Sequence, residues 1–329
     1  MLFKKKAGVF VMSLDFELFW GVLDSLTVAG YKKNIEGVWR AIPRILTLFH
    51  KYSIHGTWAT VGMVMCRDYT QWCEIRPSVL PGYTRQECST YTLGAIAREY
   101  PNLFFARPLV LQILEIPGQE LATHTYSHFY CGNEGVTSEQ FTADVACGQT
   151  ITADLGVQCR SLVFPCNQVR EDFLPIMAKA GIQAYRGNPN HYFYRNGHFA
   201  PGGLVGRALR FADSWVPLTG SHVAHAESVN GVVNVPASLF LRPWSRTLSA
   251  LEVLRVDRLK RSMTVAARSG RICHLWWHPH NFGVNMEQNL AVLESILKHY
   301  CILRDQYGMS SLSMVEAAKE SVSQEIQHG

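Results

Sequence analysis

The stretch Gly118-Gln-Glu-Leu-Ala-Thr-His124-Thr-Tyr-Ser-His128 sets two histidines four residues apart, directly after a short apolar run. Glu120 to Thr123 reads as a short buried strand, and both imidazoles emerge where that strand stops, free to converge on one point. Neutral imidazole nitrogen suits borderline-soft divalent metals, zinc foremost. A pair alone does not make a site, because thirteen histidines leave room for two that do structural work. A third ligand, a base and an acid have to come from elsewhere in the chain.

Outward from this segment, short apolar runs alternate with helical patterns, which predicts a parallel α/β arrangement. Strands are expected at Ala7 to Leu14, Ile54 to Val61, Glu120 to Thr123, Ser161 to Phe164, Ile182 to Tyr185, Val232 to Val235 and Ile272 to Trp277. Helices are expected at Asn34 to Tyr52 with a kink at Pro43, from Thr137 or Ser138 to Leu155, and at Asp172 to Ala180, Val253 to Ala267 and Met286 to Tyr300. Two stretches, 63–117 and 187–231, break the rhythm and read as insertions or loops in one domain spanning 1–329.

The chain has 329 residues, 47% hydrophobic and 17% charged, as expected of a folded protein with a large core. Its net charge of +5 is spread out apart from Lys4-Lys5-Lys6 and reads as ordinary surface charge. No basic stripe interleaves with aromatics, so nucleic acid is not an expected partner. The lysines followed by Ala7 to Leu14 resemble the start of a signal peptide, but the run is short and ends at Asp15 without a cleavage site. No stretch approaches the roughly 20 apolar residues of a membrane span. A cytoplasmic protein without an integral membrane segment is the expectation. Nine cysteines, an odd number without C-x-x-C spacing, read as reduced thiols.

The candidate third ligand lies in Ser13-Leu-Asp15-Phe16-Glu17. Residues two apart in an extended chain face the same way, so Asp15 and Glu17 project together and Phe16 points to the opposite side. Flanking by Val9 to Leu14 and by Leu18, Phe19 and Trp20 argues against two solvated surface charges. Ile272 to Trp277 is an apolar strand that ends in His278-Pro-His280-Asn281. His278 sits where a parallel barrel places reacting groups, and His274 reads as a satisfied core histidine. His280 and Asn281 read equally as substrate contacts or as loop hydrogen bonders.

In this order, Ser-Leu-Asp15-Phe-Glu17, Gly56-Thr-Trp-Ala-Thr, Glu120-Leu-Ala-Thr-His124-Thr-Tyr-Ser-His128, Phe164-Pro-Cys-Asn167-Gln168 and Leu275-Trp-Trp-His278 resemble the motifs of the polysaccharide deacetylases, the NodB-homology domain of carbohydrate esterase 4 type. The resemblance covers about Gly8 to Tyr300. It implies a distorted (β/α)7-type TIM-like barrel with inserted loops. It also implies metal-dependent removal of an N-acetyl or other N-acyl group from an amino sugar, in surface-polysaccharide or O-antigen assembly. His124 and His128 match the family's metal histidines, Asp15 its catalytic base and His278 its catalytic acid. Phe16 stands where a second aspartate is usual, so the metal carboxylate implied here is Glu17. The family's Arg-x-Pro appears as Val163-Phe164-Pro165, with Asn167 where glycine is usual, and Arg170 or Arg186 is left to stand in for the arginine.

One divalent ion is implied, zinc first, with cobalt or nickel also accommodated by this ligand set. The implied partner is an N-acylated sugar, nucleotide-, lipid- or polymer-linked, with Trp20, Asn167, Gln168, Arg186, His280 and Asn281 as candidate contacts. Trp20, Tyr126, Trp215, Trp276 and Trp277 offer rings to a sugar, although most read as core. Asp213 reads as loop or supporting residue without a catalytic role. Two other readings stay open: an amidohydrolase for a small non-sugar amide, and a carbohydrate-binding relic of the fold that has lost catalysis.

Overall fold

In the computed structural model, Val9–Phe16 (β1) is buried along its whole length, as a strand covered on both faces must be. The structure describes residues 6–22, 27–194 and 203–328, with side chains to 323; Lys4 and Lys5 of the basic run lie outside them. Nine further strands follow: Gly56–Thr60 (β2), Gln119–Thr123 (β3), Ser161–Leu162 (β4), Ala184–Tyr185 (β5), Glu227–Val229 (β6), Val232–Asn234 (β7), Leu239–Phe240 (β8), Ile272–Trp277 (β9) and Ser310–Leu312 (β10). They form one sheet in the order β6-β7-β5-β4-β3-β2-β1-β9-β8, with β10 beside the start of β1. Every pairing is parallel except the β6–β7 hairpin.

One extended stretch curls the sheet back on itself. Val233, Val235 and Ala237 donate to Gln183, Tyr185 and Gly187 on the β5 side at 2.8, 2.9 and 2.9 Å, and Ser238 and Leu241 then donate to His274 and Trp276 of β9, each at 2.8 Å. The result is the curled α/β sheet of a distorted barrel. Small and β-branched residues fill its interior, among them Val9, Val11, Ala59, Ala122, Val163, Ala184 and Val235. Phe10, Met12, Leu14, Trp58 and Leu121 pack outward into the layer of helices. The period of two along β1 therefore carries Ser13 and Asp15 inward at the C-terminal end of the barrel.

Helix Val28–Lys51 starts six residues before the expected Asn34, because Thr27 caps it by accepting from Gly30 N at 3.2 Å, and it includes Pro43. Strands β6, β8 and β10 and the helix Met314–His328 are additions to the sequence expectation; two- and three-residue strands carry no readable periodicity. The stretch 63–117 contains helices Tyr69–Glu74, Gly94–Glu99 and Arg107–Glu115. The last of these is the crossover between β2 and β3, burying Leu109, Val110 and Ile113. Gly203–Ala212 is helical within 187–231.

Gly37 of the first long helix meets the backbone of Gly283, next to the turn Pro279–Phe282 that follows β9. A Cβ at Gly37 would lie 2.1 Å from Gly283 O, and that backbone has no rotamer by which to move away. Alanine's better helix propensity, worth about 1 kcal/mol, is opposed by overpacking that costs about 1–3 kcal/mol. Gly37→Ala is expected to lower Tm by several degrees in thermal denaturation; a higher Tm would contradict the close approach.

Candidate metal centre

The functional side chains meet where the parallel strands end. His124 follows β3 directly, and its amide continues the ladder by donating to Thr60 O at 3.0 Å. Its Nδ1 lies 2.8 Å from Val163 O, which places the ring proton on Nδ1 and leaves the Nε2 lone pair facing inward. The chain then reverses within four residues through Thr125 at φ 62° and His128 at φ 53°. Left-handed backbone at non-glycine residues costs about 1–3 kcal/mol each, and here it brings the two imidazole centroids within 5.2 Å.

Side chains brace this turn. Thr125 Oγ1 accepts from Phe129 N at 2.7 Å, and Asp144, from the helix Ser138–Ala153, accepts from Tyr126 N at 2.7 Å, Ser127 N at 3.1 Å and the Ser127 hydroxyl. Burial pushes the Asp144 carboxyl up to about 6, against the pull of those donors. Nothing in the sequence around Asp144 flags it, since its task depends on which way its helix faces.

Glu17 completes the cluster. Its Oε2 lies 3.4 Å from His124 Nε2 and 3.1 Å from His128 Nε2. Among the described residues Glu17, His124 and His128 form the group able to hold a metal ion, their ligand atoms within 4.8 Å of one another and all three side chains buried. Burial alone would raise the Glu17 carboxyl; His278, His124 and His128 around it outweigh that and hold it well below the usual carboxylate range. One carboxylate oxygen and two Nε2 atoms, one of a fixed tautomer, suit a divalent ion. His128 Nδ1 is buried without a hydrogen-bond partner among the described residues, so, unlike in His124, no carbonyl fixes that ring's tautomer from the Nδ1 side.

Beside this cluster, Asp15 is gripped by Arg186, the residue after β5. The two guanidinium Nη atoms donate to the two Asp15 oxygens at 2.7 Å each. The same guanidinium donates to Ser13 Oγ at 2.9 Å and Asn167 Oδ1 at 3.0 Å, and it covers the Trp276 ring at 4.3 Å. Burial would raise the Asp15 carboxyl, but Arg186 first, with His124 and His278, leaves it below its ordinary value. Arg170 instead pairs with Asp172 and Cys131 O near the surface. Of the two arginines the sequence leaves open, Arg186 is therefore the one on Asp15.

His278 follows β9 at the rim. Its Nε2 lies 3.4 Å from Glu17 Oε1 and 3.9 Å from Asp15 Oδ2, and its side chain is 23% exposed, so this edge of the centre meets solvent. His280 stacks on it at 4.9 Å, and burial pushes the His280 imidazole down to about 3, which keeps it neutral. Inside the barrel, His274 pairs with Ser13 Oγ at 2.8 Å and Val235 O at 3.1 Å. Tyr31 reaches the same mouth from the first long helix: its ring meets His280 edge-on at 5.4 Å, and burial together with Glu17 pushes its hydroxyl up to about 12.

The remaining candidates are placed differently. Trp20 is fully buried, donating to Phe104 O at 2.8 Å and stacked on Trp72, a core position away from the cleft. Gln168 holds a loop by accepting from Gly132 N at 2.8 Å. Asn167 reaches the centre through Arg186, and Asn281 bonds within its own turn through His278 O and Asn289. Tyr126 and Trp277 are fully buried, and Trp215 nearly so. Asp213 is buried too, accepting from Tyr194, Thr219 and Arg258 inside the 187–231 segment.

No protein-family model matches the chain, and neither does any curated protein. Solved structures do. A Mycobacterium smegmatis protein described as a polysaccharide deacetylase is 14% identical with a TM-score of 0.62, the match covering 99% of this chain and 93% of that one. The allantoinase Puue matches at 12% identity and TM-score 0.56, over 94% of this chain and 89% of its own. A Pseudomonas aeruginosa PAO1 protein described as a polysaccharide deacetylase matches at 12% and 0.55 over the same shares. At these identities the likeness is one of fold.

Glu17→Ala and His124→Ala are expected to lose stoichiometric metal on analysis of dialysed protein; full occupancy in Glu17→Ala would remove it from the ligand set. Asp144→Ala is expected to weaken metal affinity about 10–100-fold in a competition titration, because it orients the loop that carries both histidines.

Proposed function

We propose that this chain is a metal-dependent hydrolase that removes an N-acyl group, acetyl first, from an amino sugar of surface-polysaccharide assembly. The observation that carries the reading is the pair of buried carboxylates with separate partners, Glu17 among His124 and His128, and Asp15 clamped by Arg186. Two acids two residues apart, one facing imidazoles and one facing a guanidinium, divide into ligand and base. The fold shared with proteins described as polysaccharide deacetylases supports the sugar as substrate.

Glu17, His124 and His128 would hold the ion, zinc by ligand type. Bound there, a divalent ion would supply a Lewis acid for an acyl carbonyl and would lower the pKa of water from 15.7 to about 7. Asp15 is kept ionised by Arg186, each of its oxygens retaining a lone pair with which to take a proton from attacking water. The bidentate grip also fixes the direction of that carboxylate. His278, at the solvent-facing edge, is placed to give a proton to the departing amine. Neutral His280 stacked on His278 limits the ring's rotation without adding a charge. The relic reading drew on the missing family arginine and the missing second aspartate; Arg186 on Asp15, from a different strand, and Glu17 beside both histidines support catalysis over it.

A substrate panel, two variants and a pH profile test this. Purified protein loaded with zinc is expected to release acetate or formate from an N-acylated sugar in a panel of nucleotide-, lipid- and polymer-linked forms; release only from cyclic or non-sugar amides would support the alternative amidohydrolase. Asp15→Asn is expected to keep the metal and lose turnover, and His278→Ala to lose about 10²–10⁴ in rate. The acid limb of the kcat/KM profile should fall below the ordinary carboxylate range, because Arg186 stabilises the charged form of Asp15. Arg186→Met removes the largest part of that stabilisation and leaves burial opposed only by His124 and His278, so the limb should move to higher pH. An unmoved limb would show that Asp15 is not the group titrating.

A further inference from the structure

Exposed large apolar side chains are unevenly placed. Of fourteen among the described residues, nine fall between positions 204 and 265, including Leu204 and Val253 at 76% exposure each and Val205 at 70%. Scattered apolar residues are ordinary on a surface, whereas a contiguous group marks a contact. Several of these adjoin one another. In helix Gly203–Ala212, Leu204 and Phe211 are seven residues apart and so lie on one face. Phe211 packs on Trp215 at 4.6 Å, and Trp215 and Val216 form one wall of an open groove of about 460 Å³. Leu254 and Val265 of helix Glu252–Ser269 form the other wall.

Charge sets this face apart as well. Positions 203–261 hold eight lysine and arginine residues against four aspartates and glutamates, a surplus of four out of the +5 of the whole chain. Arg255 and Arg258 are buried in ion pairs with Glu252 and Asp213, which leaves the surplus unchanged. Arg207 and Arg246 are exposed among the apolar positions, as is Arg261, which pairs with Asp257 at 2.7 Å. The face also adjoins the mouth of the centre. Arg242 lies over Phe211 at 5.1 Å and over Phe240 at 6.0 Å, and Phe240 packs on Trp276 and His278 at 4.6 and 5.8 Å.

We propose that this face, built on Gly203–Ala212, Val216 to Leu218 and the start of Glu252–Ser269, docks on an anionic lipid bilayer. An amphipathic helix with apolar side chains and arginines on its exposed surface partitions into the headgroup boundary, with cations meeting anionic lipid and apolar groups leaving water. Cationic rims argue for an anionic surface over a second copy of this chain, whose matching face would carry the same surplus of positive charge. Docked in this way, the His278 side of the mouth opens next to the bilayer. The inference is independent of which group the centre removes.

Co-sedimentation with vesicles tests it. The full chain is expected to pellet with equal-part phosphatidylglycerol–phosphatidylcholine vesicles at low salt, to release as salt rises, and to stay in the supernatant with phosphatidylcholine alone. Leu204→Glu combined with Val253→Glu should weaken binding about tenfold or more with Tm unchanged, since both side chains are exposed. Arg207→Gln with Arg246→Gln should lower affinity for the anionic vesicles and flatten the salt dependence. Absence of binding to the anionic vesicles, or binding that neither pair of substitutions alters, would overturn the proposal. So would a concentration-dependent dimer that Leu204→Glu with Val253→Glu abolishes in protein that ignores vesicles, because the face would then be a contact between copies.

Discussion

A guanidinium that is 1% exposed has to be neutralised where it stands, and both oxygens of Asp15 neutralise Arg186. Buried ion pairs add little net stability, since desolvation offsets their attraction, but loss of one partner costs about 3–5 kcal/mol. The pair therefore acts mainly as a constraint on position. Ser13 and Asn167 take further donors of the same guanidinium, Trp276 lies beneath its plane, and Ser13 also meets His274. Strands β1, β5 and β9 are thereby tied together just below the rim that carries Glu17 and His278.

Above that tie the backbone departs from regular geometry. Leu18, Thr125, His128, Cys166 and Asn167 are five of the nine non-glycine residues with positive φ among the described residues, and all lie at or beside the C-terminal strand ends. Such conformations persist only where surrounding contacts impose them. Asp144 supplies those contacts for the histidine loop, and the Arg186–Asn167 bond does so after β4. Strain and bracing occur together around Glu17, His124 and His128, as preorganisation of a candidate ligand set would require.

Much of this was legible in the chain because it depends on local periodicity. The alternation in β1 placed Asp15 inward, and the end of β3 placed His124 and His128. What escaped depends on distance and orientation. Arg186 lies 171 residues from Asp15, and nothing local distinguishes it from Arg170. Asp144 acts across helix packing, and Trp20, next to the Asp-x-Glu segment, turns into the core because its indole finds Phe104 O. The sheet curls back on itself through 233–241, where hydrogen bonding passes from β5 to β9 within a few residues and leaves strands too short to show a period.

The central claim is that Glu17, the carboxylate two residues beyond Asp15, completes a metal triad with His124 and His128. Anomalous diffraction at the zinc edge, on crystals grown with zinc, addresses it most directly. The account predicts one strong peak within bonding distance of a Glu17 oxygen and of Nε2 of both histidines, with Asp15 still held by Arg186. A peak bonded to Asp15 in place of Glu17, or no peak between the histidines, would contradict it.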